Sequence, residues 1–455
     1  MPGLIMIGML VLSGCQYTTT PADLLLSPQS TPENAKLASA VRDALPVRAK
    51  LALPVQEASN AAVNKTDIDG DGEQEAIVTF VTENDTEQVM VLKQQNDRWK
   101  KWFTFDESSS YGIDLLQVAD LDQDGLPEVL IGWNQYGEPQ HSLAVYHINE
   151  SYNGDSLPGP IAELPYDSLG IGDADGDGRS ELVLIQLDRE QMKASAHLHR
   201  IHEGKVEEIA SAPLNGNVNG YYNIVVGKIA SDRYGILADA SLGAHSSSTV
   251  MLAWNEGKLS KIYPRPTSNG EVVENNSRQT VGGDGNGDGI LDINVTLEAP
   301  GQAPNLPYSD LLWLEQYKQW DGGEQFQVVQ ERYVDETDGY ELRFPAEWRE
   351  KYTVHLTNGS DVRELAVDYY NQQTEDRAEL FAIEPVPLAD WSDKEQELKD
   401  DSRRVTVLTE AGGFVYAVVW SEAPEDWTAD SKQDYDQLQL DEVTLKQIFK
   451  LIPQH

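Results

Sequence analysis

Short apolar runs of strand length recur along this chain where helical stripes would otherwise be expected. Ala76-Ile77-Val78-Thr79-Phe80, Val129-Leu130-Ile131-Gly132-Trp133, Leu182-Val183-Leu184-Ile185-Gln186 and Ile293-Asn294-Val295-Thr296-Leu297 are apolar and rich in β-branched residues, which predicts strands. Around the third run the spacing predicts three more strands. One precedes it (167–172), and two follow it (196–201 and 206–210), the latter pair joined at Glu203-Gly204. Past residue 333 the texture changes. Strands are predicted at 340–344, 352–356, 365–370, 379–384, 405–409 and 414–420, the last two paired across Ala411-Gly412-Gly413, a hairpin signal. Helical spacing is confined to two places. Ala35, Leu37, Ala38, Val41 and Leu45 predict a short helix ended by Pro46 and Pro54. Leu438, Leu445, Ile448, Phe449 and Ile452 predict a final helix over about 434–451.

Each of the four apolar runs follows an acidic loop. These read Asp67-Ile-Asp69-Gly-Asp71-Gly-Glu-Gln-Glu75, Asp120-Leu-Asp122-Gln-Asp124-Gly-Leu-Pro-Glu128, Asp173-Ala-Asp175-Gly-Asp177-Gly-Arg-Ser-Glu181 and Asp284-Gly-Asn286-Gly-Asp288-Gly-Ile-Leu-Asp292. Side-chain oxygens stand at positions 1, 3, 5 and 9, and glycine at position 6 (Gly72, Gly125, Gly178, Gly289). A hard cation needs such a spacing, because alternate residues of a tight loop point inward and glycine allows the bend. Calcium suits an irregular cage of oxygens better than magnesium, which demands an octahedron. An EF-hand is excluded. Its position 12 needs a bidentate Glu, where this chain has Val78, Ile131, Leu184 and Val295, and strands rather than helices follow the loops. The competing reading of one such cluster is a solvated turn; four with a single spacing argue against it.

The loops begin at residues 67, 120, 173 and 284, so the last step is about twice the others and a fifth unit is expected near 228. There, 227–239 keep the strand–loop–strand outline, but Lys228 replaces the first acid and no metal is expected. Four antiparallel strands per unit describe a propeller blade. These loops and strands resemble the FG-GAP/VCBS repeats, the blades of integrin-type β-propellers. The resemblance implies calcium between the first and second strands of each blade. Position 9 is Glu in three loops and position 3 of the last is Asn286, departures that keep an oxygen at each place. The fold expected is mainly β: a β-propeller of about five four-stranded blades over 57–332, followed by a small α+β C-terminal domain over 333–455. The turn Phe344-Pro-Ala-Glu-Trp348 is similar to small domains beside such repeats in Gram-positive lipoproteins, a resemblance that carries no activity.

Composition then narrows the partners. The 455 residues carry a net charge of −42, which argues against nucleic acid or an anionic membrane surface. A single cysteine excludes an intramolecular disulfide. That residue ends an apolar run from Leu4 as Leu12-Ser13-Gly14-Cys15, which resembles the bacterial lipobox, although no Lys or Arg precedes the run. The resemblance implies a signal peptide over 1–14, diacylglycerol on Cys15 and a tether with a short helix over 15–56. The chain would then sit at the cell membrane by its lipid alone, facing outside the cytoplasm.

Catalytic signatures are sparse. The nucleophile elbow, phosphate loop and dinucleotide fingerprint are absent from the sequence. Gly243-Ala-His245-Ser-Ser-Ser248 reads as a polar loop or part of a triad. His197 and His199, with His202 near, read as a solvent-facing row or as zinc or copper ligands. Trp99, Trp102, Trp133, Trp254, Trp313 and Trp320 suit packing or, if exposed on one face, a sugar or peptide. The expectation is therefore a protein that is not an enzyme: a ligand- or protein-binding module holding about four structural calcium ions, its partner a protein or glycan at the cell surface. The alternatives are a cell-surface hydrolase of glycan or peptide with an accessory propeller, and a calcium-dependent envelope assembly factor.

Overall fold

The structure is a computed structural model that describes residues 32–56, 61–107, 109–136, 141–149, 152, 158–265, 275–358 and 363–452. It is mainly β, with several four-stranded sheets. Each sheet in the repeat region is an antiparallel meander. The first comprises Val63–Thr66, Glu75–Val81, Glu87–Gln95 and Arg98–Phe105, with Lys50–Leu51 also paired to its second strand. The second comprises Ser110–Ala119, Glu128–Gln135, His141–His147 and Ala162–Tyr166, and the third Ser168–Gly172, Glu181–Asp188, Lys193–His202 and Lys205–Asn215. Gly220–Ala230, Arg233–Ser241, Ser247–Asn255 and Lys258–Tyr263 form the fourth, joined by Asn275–Asn276. In the fifth the first strand is reduced to a bridge at Gly283, which pairs with Asp292; the second is Asp292–Glu298, followed by Trp313–Trp320, Phe326–Asp335, Tyr340–Phe344 and finally Phe449–Leu451. In the third sheet the hairpin at Glu203-Gly204 has φ of 50° and 66°, the left-handed pair that a two-residue turn requires.

Side-chain alternation explains why the second strands read as continuous apolar runs. Leu182 and Leu184 face Leu130, Leu143 and Val145 of the second sheet, whereas Val183 and Ile185 face Ile236 and Ala238 of the fourth. The same holds along the stack. Ile77, Val89 and Phe105 meet Ile113, Val129 and Ile131, and Leu237 and Met251 meet Ile293 and Trp320. Both ends are covered by elements outside the repeat. Helix Pro32–Ala44 lays Leu37 and Val41 on Ala76, Val78, Phe80, Met90 and Leu92 of the first sheet. Tyr333, Tyr340, Leu342 and Phe344 of the fifth sheet merge with the C-terminal core around Trp348, Tyr352, Phe381 and Tyr435. Among the described residues, no apolar cluster joins the first sheet to the fifth.

A sixth sheet, ordered Tyr352–Asn358, Arg363–Tyr370, Arg377–Pro387, Phe414–Trp420 and Val405–Ala411, forms the C-terminal part. The boundary expected between 332 and 333 falls inside Phe326–Asp335, which pairs with Tyr340–Phe344. The helix expected over 434–451 is instead two helices, Ala429–Gln437 and Glu442–Ile448, followed by a strand. Asp441 breaks it: its side chain accepts the Thr444 amide at 2.7 Å and caps a new helix start. Helix Trp391–Asp400 went unpredicted because it buries only Leu398 and so carries no apolar stripe. The apolar run and Cys15 lie outside the described residues. No helix of the described residues is long and apolar enough to cross a membrane.

Candidate metal centres

All four acidic loops lead into the second strand of a sheet and share one backbone wiring. The position-1 carboxylate accepts the glycine amide of position 6 in every loop: Gly72 to Asp67 at 2.9 Å, Gly125 to Asp120 at 3.1 Å, Gly178 to Asp173 at 3.1 Å and Gly289 to Asp284 at 2.8 Å. The position-5 carboxylates Asp71, Asp124, Asp177 and Asp288 accept the amide two residues on, at 2.8 to 2.9 Å. Position 9 turns inward. Glu75, Glu128, Glu181 and Asp292 are all fully buried, and each accepts the amide of position 2, from Ile68, Leu121, Ala174 and Gly285, at 3.0 to 3.1 Å. Gly72 and Gly289 have φ of 85° and 81°, a conformation that side chains resist.

The wiring gathers the acids. Asp67, Asp69 and Asp71 bring ligand oxygens within 4.8 Å of one another, as do Asp120, Asp122 and Glu128, and Asp173, Asp175 and Glu181. These clusters can hold a metal ion. The loop with Asn286 forms no such trio of acids among the described residues. Burial pushes the position-9 acids up, Glu75 and Asp292 to about 7, while the position-2 amides oppose the shift. Glu128 and Glu181 are raised for the same reason. Among the loop oxygens of the described residues, Asp69 Oδ1, Glu75 Oε1 and Asp292 Oδ1 are buried without a hydrogen-bond partner. Such orphaned oxygens are costly unless something positive meets them.

Four residues that the sequence reading passed over complete the loops. Each comes from the third strand, opposite position 9. Glu128 pairs in register with His147, and Asp292 with Gln319. Lys93 and Arg200 reach the same place in the first and third sheets. The Lys93 ammonium lies 2.7 Å from Asp71 and 3.2 Å from Glu75, also contacts Asp69, and sits 4.7 Å from the centre of the Trp102 ring. Arg200 pairs with Glu181 at 3.1 Å and with Asp175, and lies 3.5 Å from Asp177. His147 Nδ1 is 3.0 Å from Glu128, and Gln319 donates to Asp288 at 2.9 Å. Loop spacing alone could not reveal them; the cross-strand register is the signal.

The fourth sheet shows the unit without its loop. A two-residue turn at Ser231-Asp232 joins Gly220–Ala230 to Arg233–Ser241. Gly227 pairs with Gly235 as Gly172 pairs with Glu181 and Gly283 with Asp292, so Gly235 stands at position 9. Its third-strand partner is Ala253. Acid and facing polar residue are lost together.

The other candidates are placed as follows. His197 Nδ1 lies 3.2 Å from Glu208 and its Nε2 2.8 Å from Ser195 Oγ, whereas burial lowers the pKa of His199 and His202 is exposed. His245 stacks on Tyr308 at 5.0 Å, and Ser247 Oγ donates to the Arg278 carbonyl, so no triad geometry forms there. Trp133, Trp313 and Trp320 are buried, and Trp99, Trp102 and Trp254 are half-buried.

No protein-family model matches the chain, and no curated protein matches it. Among solved structures it is similar to propeller-type proteins. The exotype rhamnogalacturonan lyase YesX shows 11% identity and a TM-score of 0.27 over 70% of this chain and 64% of the lyase, so the chain spans under two thirds of that protein. The periplasmic gluconolactonase PpgL of Pseudomonas aeruginosa shows 12% and 0.30 over 71% of this chain and 85% of that one. Saccharomyces cerevisiae Sqt1 shows 11% and 0.28 over 78% and 86%. The expectation that the chain is not an enzyme is corrected by this comparison, since a lyase and a lactonase stand among the similar structures. Its physical basis was also thin: in a chain with 76 acids, a working carboxylate pair carries no sequence signature of its own. At these TM-scores no particular activity passes to this chain.

Proposed function

We propose that this chain is a lipid-anchored, extracytoplasmic β-propeller-type array of FG-GAP/VCBS-like blades that presents a surface to a protein or glycan, with calcium as a structural element of its acidic loops. The observation that carries the calcium reading is that carboxylate oxygens inside the loops are buried without a hydrogen-bond partner: Asp69 Oδ1 at position 3, and Glu75 Oε1 and Asp292 Oδ1 at position 9. A hard divalent cation fits them, because every other donor in the loops is also an oxygen. Asp67, Asp69, Asp71 and Glu75 would hold one ion, and so would Asp120, Asp122, Asp124 and Glu128. Asp173, Asp175, Asp177 and Glu181 would hold another, and Asp284, Asn286, Asp288 and Asp292 the last. The ion supplies positive charge to carboxylates that otherwise repel. The chain supplies the rest: glycine bends, amides that pre-set the position-1 and position-5 carboxylates, and a buried acid that ties each loop to its strand. Extracellular sites of this kind bind at roughly 10⁻⁴ to 10⁻³ M or tighter.

The test is the melting temperature of the protein across a calcium titration against EDTA. A saturable rise is expected; no shift would remove the main support for this reading. The second reading is the alternative the sequence left open, a cell-surface hydrolase of glycan or peptide with an accessory propeller. Hydrolysis of cell-wall glycans or peptides by the purified chain would establish it.

A further inference from the structure

The four loops share their wiring and nearly all their ligands, yet the residue opposite position 9 differs in kind: Lys93, His147, Arg200 and Gln319. We infer that this third-strand residue grades the cation affinity of each loop, with Lys93 and Arg200 acting as built-in cations that weaken calcium binding in the first and third loops relative to the fourth. The inference rests on the calcium reading above and adds which loops the ion prefers.

Three observations carry it. The Lys93 ammonium stands among Asp69, Asp71 and Glu75, where a divalent ion would find its oxygens, and its side chain is only 16% exposed. It is also held from behind by Trp102, so it is a placed group rather than a surface lysine folded inward. Arg200 makes the equivalent contacts to Asp175, Asp177 and Glu181. Gln319 brings no charge; it donates to Asp288, and among the described residues no Lys, Arg or His forms a salt bridge with the acids of the fourth loop, Lys228 acting on Asp288 only through its field. The fourth sheet supplies the control. Where position 9 is Gly235, the facing residue is Ala253, so a polar residue stands at this place only where an acid needs it.

The chemistry sets the direction. A fixed positive charge inside the oxygen cage repels a divalent ion and competes for the same carboxylates. Neutralising it should tighten that loop by about tenfold or more, since nearby charges in a partly buried site interact strongly. Gln319→Lys should do the reverse in the fourth loop.

The experiment is calorimetric titration of the full chain with calcium chloride alone, for wild type, Lys93→Gln, Arg200→Gln and Gln319→Lys. Thermal melting in EDTA checks that each variant folds. Terbium luminescence that is lost on Trp102→Phe reports the first loop, beside which Trp102 lies. The expected result is two affinity classes in the wild type, a gain or tightening of one site in each of the first two variants, and loss of a tight site in Gln319→Lys. Terbium emission should rise in Lys93→Gln. Equal sites in the wild type, unchanged by all three substitutions, would overturn the inference and leave the calcium reading standing. No binding in any protein would overturn both. Should one variant fail to fold, the other two still decide, because they act in different loops and Gln319→Lys has the opposite sign.

Discussion

The fourth sheet and its neighbours solve the same problem in two ways. Each must carry the chain from a first strand to a buried second strand. The fourth does it with the two-residue turn at Ser231-Asp232, whereas the others use nine-residue loops with three to five acids. A long acidic loop is thus not needed for the connection. The fourth sheet still buries one carboxylate, Asp239, but three protein donors satisfy it: Thr249, Asn223 and the Gly282 amide. Asp292, equally buried, keeps one oxygen without a partner. Buried acids that the protein satisfies belong to the fold. Within the acidic loops, the oxygens left without a partner are the ones a bound cation would complete.

The comparison predicts its largest effect from calcium itself. At ~100 times Kd one ion adds about 2.7 kcal/mol, and several filled loops add further, so EDTA should lower the melting temperature far more than any single surface change. An equal melting temperature in both media would erase the distinction between the two kinds of sheet. Next in size comes Gly235→Ala. A Cβ there would lie 2.0 Å from the Leu252 carbonyl oxygen and 2.9 Å from Ile229 Cδ1. Overpacking against backbone costs about 3 kcal/mol, and here the loss should be the same in calcium and in EDTA. A smaller loss confined to EDTA would mean that this strand entry depends on an ion after all.

Asp292→Ala and Asp175→Ala sharpen the contrast further. Each should lower stability in EDTA by about 1–3 kcal/mol, since Arg200 or the Gly285 amide loses its partner, and in calcium by up to about 2.7 kcal/mol more, the contribution of the ion. Chemical denaturation in both media measures it. No excess loss in calcium would make these acids structural in the manner of Asp239.

Much of this was legible in the chain, for identifiable reasons. The second strands are buried on both faces, so 182–186 reads as a solid apolar run, and the loops advertise themselves because ligand spacing is local. Even the degenerate unit was visible, with Lys228 at position 1. What escaped is non-local or lacks a period. Lys93 and Arg200 lie 18 and 19 residues beyond their position-9 partners, and only strand register brings them back. The fifth sheet takes Phe449–Leu451 from the far end of the chain, so no composition change near residue 333 could mark its limit. The C-terminal helix failed through a single cap, Asp441, within an otherwise helical pattern.

The smallest effect concerns Asp239 and the pH dependence of stability. Burial raises its pKa, while the donors Thr249, Asn223 and Gly282 oppose the shift. A carboxyl whose folded pKa exceeds its unfolded value, about 3.9, binds its proton more readily in the native state. Its contribution to stability is therefore fully present below that unfolded value and is lost as pH rises through the folded one. Asp239→Asn removes this titration. In saturating calcium, the stability of wild type relative to the variant should fall as pH climbs from about 4 toward neutrality. Parallel curves would mean that the three donors hold the carboxylate as comfortably as water does. The fully wired acid of the fourth sheet would then be a neutral replacement for a calcium loop, and the repeat would have lost its ion without any electrostatic penalty.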